Sequence, residues 1–262
     1  MALLADLHNH SCLSPCGSLE LSPRRLAELA AARNVKVLAL TDHNSSLNCP
    51  AFAKVCLRYG IIPLFGMEAT TREEIHTLCL FTGLESSLAW SEYVYSILIP
   101  FPNDPEKTGD QVYVDEDDTI EGEVEYFLPN AIDLSIEDIG PKAAEYGGIV
   151  IPAHVDRPAF SMVSQLGVIV KGPWAALECV RIPPLARFGD PGSGYLDTLG
   201  CPLITSSDAH YPEHVARRPF DLDLSAEELQ PRGPGTGADM EALKRALAKQ
   251  PGAPENPGGY DR

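Results

Sequence analysis

Short apolar runs that end in a polar, histidine-bearing turn recur along this chain, and they limit its fold more than any other feature. Residues 3–7 run into His8-Asn9-His10, residues 35–40 into Thr41-Asp42-His43, and residues 149–152 into Ala153-His154. Residues 203–206 lead to Ser207-Asp208-Ala209-His210, and residues 61–65 end in Gly66-Met67-Glu68. Compact apolar runs bounded by turn residues read as buried strands, and residues 75–81 and 176–179 add two more. Ser22-Pro23 supplies an N-cap and a first-turn proline ahead of an amphipathic stretch over 24–32. Helices are also expected over 50–59 and 135–146. Strand, polar loop, helix, strand is the rhythm of βα units around a parallel sheet or barrel.

Charge narrows the function classes. The 262 residues carry 37 Asp+Glu against 20 Lys+Arg, a formal net charge of −17. That balance argues against a partner that is a long nucleic acid, which calls for a basic stripe. It does not exclude a small anionic substrate, because net charge says little about one pocket. Ten acids and one base, Lys107, fall within residues 104–125. This segment is expected to be an acidic insertion spanning about 85–130, with strands over 111–115 and 123–128 flanking a turn at Asp117-Asp118. A single domain is expected over 1–230, followed by a short helix over 240–249 and a flexible tail, together 231–262. The N-terminus lacks a basic segment ahead of an apolar one, and nowhere do 18 apolar residues run together. A cytoplasmic protein with no membrane contact is the expectation. Seven scattered cysteines fit reduced thiols better than a disulfide framework.

Histidine placement carries the chemistry. Of seven histidines, six sit at or just after an expected strand, and only His214 reads as a surface residue. In His8-Asn9-His10 two imidazoles lie two residues apart, on one face of an extended chain. Asp208-Ala209-His210 repeats that geometry with a carboxylate. If the strands close into a barrel, both pairs meet where the loops after the strands build the site.

In their order, His8-Asn9-His10-Ser11, Thr41-Asp42-His43, Gly66-Met67-Glu68, Pro152-Ala153-His154 and Ser207-Asp208-Ala209-His210 resemble the motifs of the PHP (polymerase and histidinol phosphatase) family, over residues 6–210. The chain is similar in size to the stand-alone metal-dependent phosphoesterase branch. The resemblance implies a distorted seven-stranded (β/α) TIM-like barrel with two or three divalent metal ions at its mouth. It also implies phosphoester hydrolysis by metal-activated water. Carried over residue by residue, it gives His8, His10, Glu68 and Asp208 to one ion and His43 and His210 to a second. Glu68 would bridge to a third ion held by His76 and His154. Imidazole-rich sites favour Zn, Mn or Fe over Mg. Many members have an acidic residue where this chain has Pro15. Resemblance to the histidinol-phosphatase style of loop then assigns Glu20 to the second ion, with Cys16 as the competitor.

Glu68, Asp208 and His210 are the expected catalytic residues. A basic side chain should anchor the non-reacting phosphate oxygens, and Arg157 is the first candidate, Arg72 the second, Arg217 and Arg218 the third. Asp156 reads as a partner of a ligating histidine or of Arg157; Asp6 and Asp42 adjoin ligating histidines and read as their acceptors. The expected enzyme is a phosphatase for a small phosphomonoester: a nucleotide, sugar or amino-alcohol phosphate. The alternatives are a nuclease or nucleotide-bisphosphate phosphatase acting on short oligonucleotides, and a non-catalytic metal-binding regulatory module.

Overall fold

A computed structural model describes residues 2–225, 227–228 and 239–252. Its strands are β1 (Leu3–Asp6), β2 (Val37–Leu40), β3 (Ile62–Thr70), β4 (His76–Phe81), β5 (Val112–Val114), β6 (Ile120–Glu123), β7 (Ile149–Pro152), β8 (Leu177–Glu178), β9 (Leu203–Ile204) and β10 (Phe220–Leu222). Its helices are α1 (Pro23–Ala32), α2 (Cys49–Tyr59), α3 (Leu84–Ser96), α4 (Pro105–Thr108), α5 (Ile136–Glu145), α6 (Met162–Leu166) and α7 (Met240–Leu247).

Local chemistry starts and stops these helices. The Ser22 side chain accepts from the Arg25 amide and Pro23 opens α1, while Ser135 accepts from the Asp138 amide at the start of α5. Gly60, at φ 64°, ends α2 in the left-handed conformation that a side chain disfavours. α1 and α2 place Leu26, Ala27, Phe52 and Val55 against Leu38, Leu40 and Phe65 of the sheet. Trp90 and Val94 of α3, with Ile139 and Ala143 of α5, cover Met67, Cys79 and Val150.

The main sheet has the order β10-β1-β2-β3-β4-β7. β1, β2 and β3 run parallel, as expected for βα units. β4, however, runs antiparallel to both β3 and β7, and β10 runs antiparallel to β1. The reason is length: five residues, 71–75, join β3 to β4, whereas a parallel crossover needs about a dozen. β8 and β9 form a separate parallel pair. Single bridges link Val150 to Trp174 and Asn9 to Ala209. The result is a mixed α/β fold with a curled sheet. Inside the curl, Ala5, Val37, Leu64, Leu78 and Ile151 share one core with Leu243, Ala246 and Leu247 of α7.

Within the acidic segment the hairpin forms, but its second strand is β6, which starts at Ile120 and ends where the expected strand over 123–128 begins. Val112 and Val114 pack against Cys12, so the hairpin lies on the loop after β1. α3 opens the segment read as the insertion, where no helix was expected. The expected tail over 231–238 and 253–262 lies outside the described residues. Among the described residues, no helix is long and apolar enough to cross a membrane.

Candidate metal centre

Glu68 is the hub of the site. It lies two residues before Thr70, which pairs with His76 across the β3–β4 ladder, so Glu68 and His76 share one face. His76 Nδ1 lies 2.8 Å and His154 Nε2 3.0 Å from Glu68 Oε1. His8 Nε2 is 3.3 Å from the same oxygen, while His10 Nε2 and His43 Nδ1 are 3.4 and 3.2 Å from Oε2. Asp208 Oδ1 lies 3.4 Å from His8 Nε2, 3.5 Å from His10 Nε2 and 3.4 Å from His210 Nδ1. The Asn9–Ala209 bridge and the His10 amide bond to the Ala209 carbonyl set the two motifs in register. His154 and Asp208 hold φ of 30° and 48°; such backbone costs about 1–3 kcal/mol and persists where surrounding contacts impose it.

A supporting layer fixes which imidazole nitrogen faces inward. His8 Nδ1 donates to Glu178 Oε2 at 2.8 Å, leaving the Nε2 lone pair toward the centre. Buried Asp42 accepts from the hydroxyls of Ser11 and Ser14 and from the Ser11 amide. Since the Ser14 proton goes to Asp42, its oxygen accepts from His10 Nδ1 at 2.9 Å. His10 therefore also presents an Nε2 lone pair. Asp6 accepts from the Ser207 amide and steadies the loop after β9.

Electrostatics follow from this packing. Burial alone would raise the Glu68 carboxyl, yet His76, His8, His10 and His154 hold it well below the usual carboxylate range. Asp208 is likewise held below that range, burial being outweighed chiefly by His8 and His10. Burial works to lower His8, but Glu178, Glu68 and Asp208 raise it well above the ordinary histidine value. Burial and the neighbouring His10 push His43 well down and bring His210 to about 3.

The donor set fits divalent cations. His8 Nε2 and His10 Nε2 lie 3.1 Å apart, a spacing met by a shared proton or by a cation that displaces it. His43 Nδ1 and His154 Nδ1 are buried and have no hydrogen-bond partner. Three triads, His8-His10-Glu68, His10-His43-His210 and His43-Glu68-His76, each place their ligand atoms within 4.8 Å of one another. Histidine and carboxylate together suit borderline metals.

Not every expected residue arrives. Glu20 is exposed, and the recorded hydrogen bond there joins its amide to Ser18 Oγ, outside the cluster. Cys16 is exposed too, but it stands at the rim of the opening over the cluster, with Sγ 3.2 Å from His43 Nε2. Burial and Glu68 push that thiol up to about 12. Arg72 is exposed and paired with Asp133 at 2.7 Å, so it is not among the site residues. Arg157 Nη1 reaches Asp208 Oδ2 at 2.7 Å. Arg217 and Arg218 donate to the carbonyls of residues 206–208. Asp156 holds the Val180 and Arg181 amides, not a histidine or Arg157. His214 packs edge-on against Tyr211, away from the cluster. Glu178 and Ser14 were not expected; Glu178 is the one acid in the run 176–179, which is the signal that marks it.

Two openings meet at the Arg157–Asp208 pair. One, of 290 Å³, exposes Cys16, His43, Glu68, His76 and His210 beneath Phe160. The other, of 340 Å³, is lined by Arg157, Arg217, Arg218 and Phe188. Burial, and the charges of Arg218 and Arg157, lower the Arg217 guanidinium against the pull of Asp208.

A curled α/β sheet with a carboxylate ringed by histidines defines a class of α/β proteins built to hold divalent metal. The chain belongs to the PHP family: the PHP domain model matches residues 6–139, about half of its length. Among curated proteins nothing matches the sequence. Among solved structures it is similar to the lesion-specific endonuclease Q of Pyrococcus furiosus, with 18% identity and a TM-score of 0.59 over 95% of this chain and 56% of that one. The chain thus spans little more than half of that endonuclease's length. A metal-dependent phosphoesterase of Bifidobacterium adolescentis matches at 16% identity and a TM-score of 0.53, over 94% of this chain and 96% of that one. At these identities the likeness is one of fold.

Proposed function

We propose that the protein is a metal-dependent phosphatase that hydrolyses a small phosphomonoester. The observation that carries this reading is Glu68, buried among five imidazoles beside a cleft with three arginines. The β1-β2-β3-β4-β7 run, continued by β8 and β9 and returned to β1 through Asn9–Ala209, is read as the family's distorted seven-stranded barrel, and the hairpin segment as its acidic insertion. That domain would take in residues 1–230 and also α7, whose Leu243 and Ala246 share the sheet's core, in a cytoplasmic protein.

In this reading His8, His10, Glu68 and Asp208 hold one ion, His43 and His210 a second, and Glu68, His76 and His154 a third, as Zn, Mn or Fe. Bound cations supply Lewis acidity, which lowers the pKa of water and offsets charge on the phosphoryl group. Glu178 and the Asp42–Ser14 pair keep His8 and His10 in the ligating tautomer. Arg157, already reaching Asp208, turns its remaining N–H groups to non-reacting phosphate oxygens, with Arg217 and Arg218 behind it. His210 Nδ1 donates to the Asp208 carbonyl at 3.2 Å, which leaves Nε2 as its ligand atom.

A second reading has one favourable observation. Arg217 and Arg218 form no ion pair among the described residues, so their cleft suits a second anionic group, as in a nucleotide bisphosphate or a short oligonucleotide. An abasic-site duplex was bound by endonuclease Q, but the net charge of −17 here disfavours long duplexes. The test is metal analysis coupled to a screen of phosphomonoesters, nucleotide bisphosphates and short RNA. Phosphate released from monoesters supports the first reading. Shortened oligonucleotides, or hydrolysis confined to bisphosphates, replace it with the second. A fully metallated protein that turns over none of these is a binding module.

A further inference from the structure

We infer that Cys16 supplies a thiolate ligand to the cation site formed by His43 and His210, in place of a carboxylate. This assignment rests on the proposed metal centre and specifies one of its ligands.

The loop is built to hold residue 16 beside His43 at the mouth of the site. Its Ser18 amide donates to the His210 carbonyl at 2.8 Å, and the Gly17 amide donates to the Ser14 carbonyl at 3.0 Å. A Cβ on Gly17 would stand 3.0 Å from the His210 carbonyl oxygen, so glycine permits this close approach. Ser14 is tied to Asp42, His10 and the His43 amide. Between these anchors Cys16 Sγ lies 3.2 Å from His43 Nε2 and lines the same opening as His210.

The imidazoles beside this thiol converge as metal ligands do. His10, His43 and His210 present ligand atoms within 4.8 Å of one another, with no carboxylate in that triad. His43 is 4% exposed, and the Cys16 thiol is the recorded neighbour of its Nε2, the nitrogen turned away from Glu68. Glu20, the carboxylate expected there, is on the outside. His43, His210 and a soft sulfur make a donor set that suits Zn over Mn or Mg. On binding, the S–H bond breaks, the sulfur electron pair goes to the cation, and the proton leaves to solvent.

The test uses the full chain loaded with Co²⁺, as a spectroscopic stand-in for Zn²⁺, and with Zn²⁺ itself. Co²⁺ should give a near-ultraviolet sulfur-to-cobalt charge-transfer band that Cys16→Ser removes. Cys16→Ser should also weaken Zn²⁺ binding by more than about 10-fold, and Cys16→Asp should restore Mn²⁺ binding better than Zn²⁺ binding. Bound Zn²⁺ should protect Cys16 from alkylation, read by peptide mapping. Cysteines 12, 49, 56, 79 and 179 are buried, so their peptides serve as controls. Stoichiometric Co²⁺ with no such band, and alkylation unchanged by Zn²⁺, would overturn the thiolate while leaving the metal centre. A chain that binds neither ion would overturn the metal centre, and the thiolate with it.

Discussion

Glu178→Ala is the perturbation that most sharply separates a metal site from a merely buried histidine cluster. Glu178 touches no substrate in the proposed reaction; it accepts a 2.8 Å hydrogen bond from His8 Nδ1, and both side chains are at most 1% exposed. Removing it leaves that N–H unpaired away from water and frees the ring to change tautomer. Breaking a buried charged pair costs about 3–5 kcal/mol of stability. Losing a partner that orients a ligating histidine lowers metal affinity about 10–100-fold, or about 1.4–2.8 kcal/mol. Glu178→Gln keeps an acceptor in the same volume and should lose less than about 10-fold. Chelator competition for Zn²⁺ gives the affinity, and thermal unfolding of the metal-free chain gives the stability. Should Glu178→Ala stay folded and bind Zn²⁺ as tightly as the parent, His8 Nε2 is not a ligand and the tautomer reasoning fails.

Other substitutions discriminate among the remaining residues. Glu68→Ala and His154→Ala should each abolish turnover and lower bound metal while circular dichroism shows a folded chain. Glu20→Ala, at an exposed position, should leave metal content and turnover within about twofold. Arg157→Met should lower kcat/KM about 10–150-fold through the lost charged hydrogen bonds, whereas Arg72→Ala should leave it unchanged, both read from initial rates on the best monoester.

The ligands were legible in the sequence because each follows an apolar run, and parallel strands deliver their trailing loops to one end of a sheet. His8, His10, His43, His154, Asp208 and His210 all arrive this way. What the runs do not carry is direction. Residues 75–81 look alike whether parallel or antiparallel, and only the five-residue link before β4 marks the reversal. α3 was hidden because its buried stripe includes Ser87 and Ser91 beside Trp90 and Val94, which blurs the helical period. Glu20 failed for a different reason. Spacing along a loop says nothing about which side chain meets the cluster, and here the contacts of Gly17 and Ser18 with His210 set residue 16 beside His43. Arg24–Asp118 and Lys54–Glu116 pair the acidic hairpin with α1 and α2 on the surface, while Thr108, Phe127 and Pro129 of the same segment line the opening that exposes Glu68.

Elemental analysis of the purified chain, with Glu68→Ala beside it, tests the central claim most directly. Two or three equivalents of Zn, Mn or Fe per chain, falling by at least one in Glu68→Ala, is the predicted result. Less than one equivalent in both proteins, after incubation with excess of each metal, would contradict the metal centre on which the proposed hydrolysis depends.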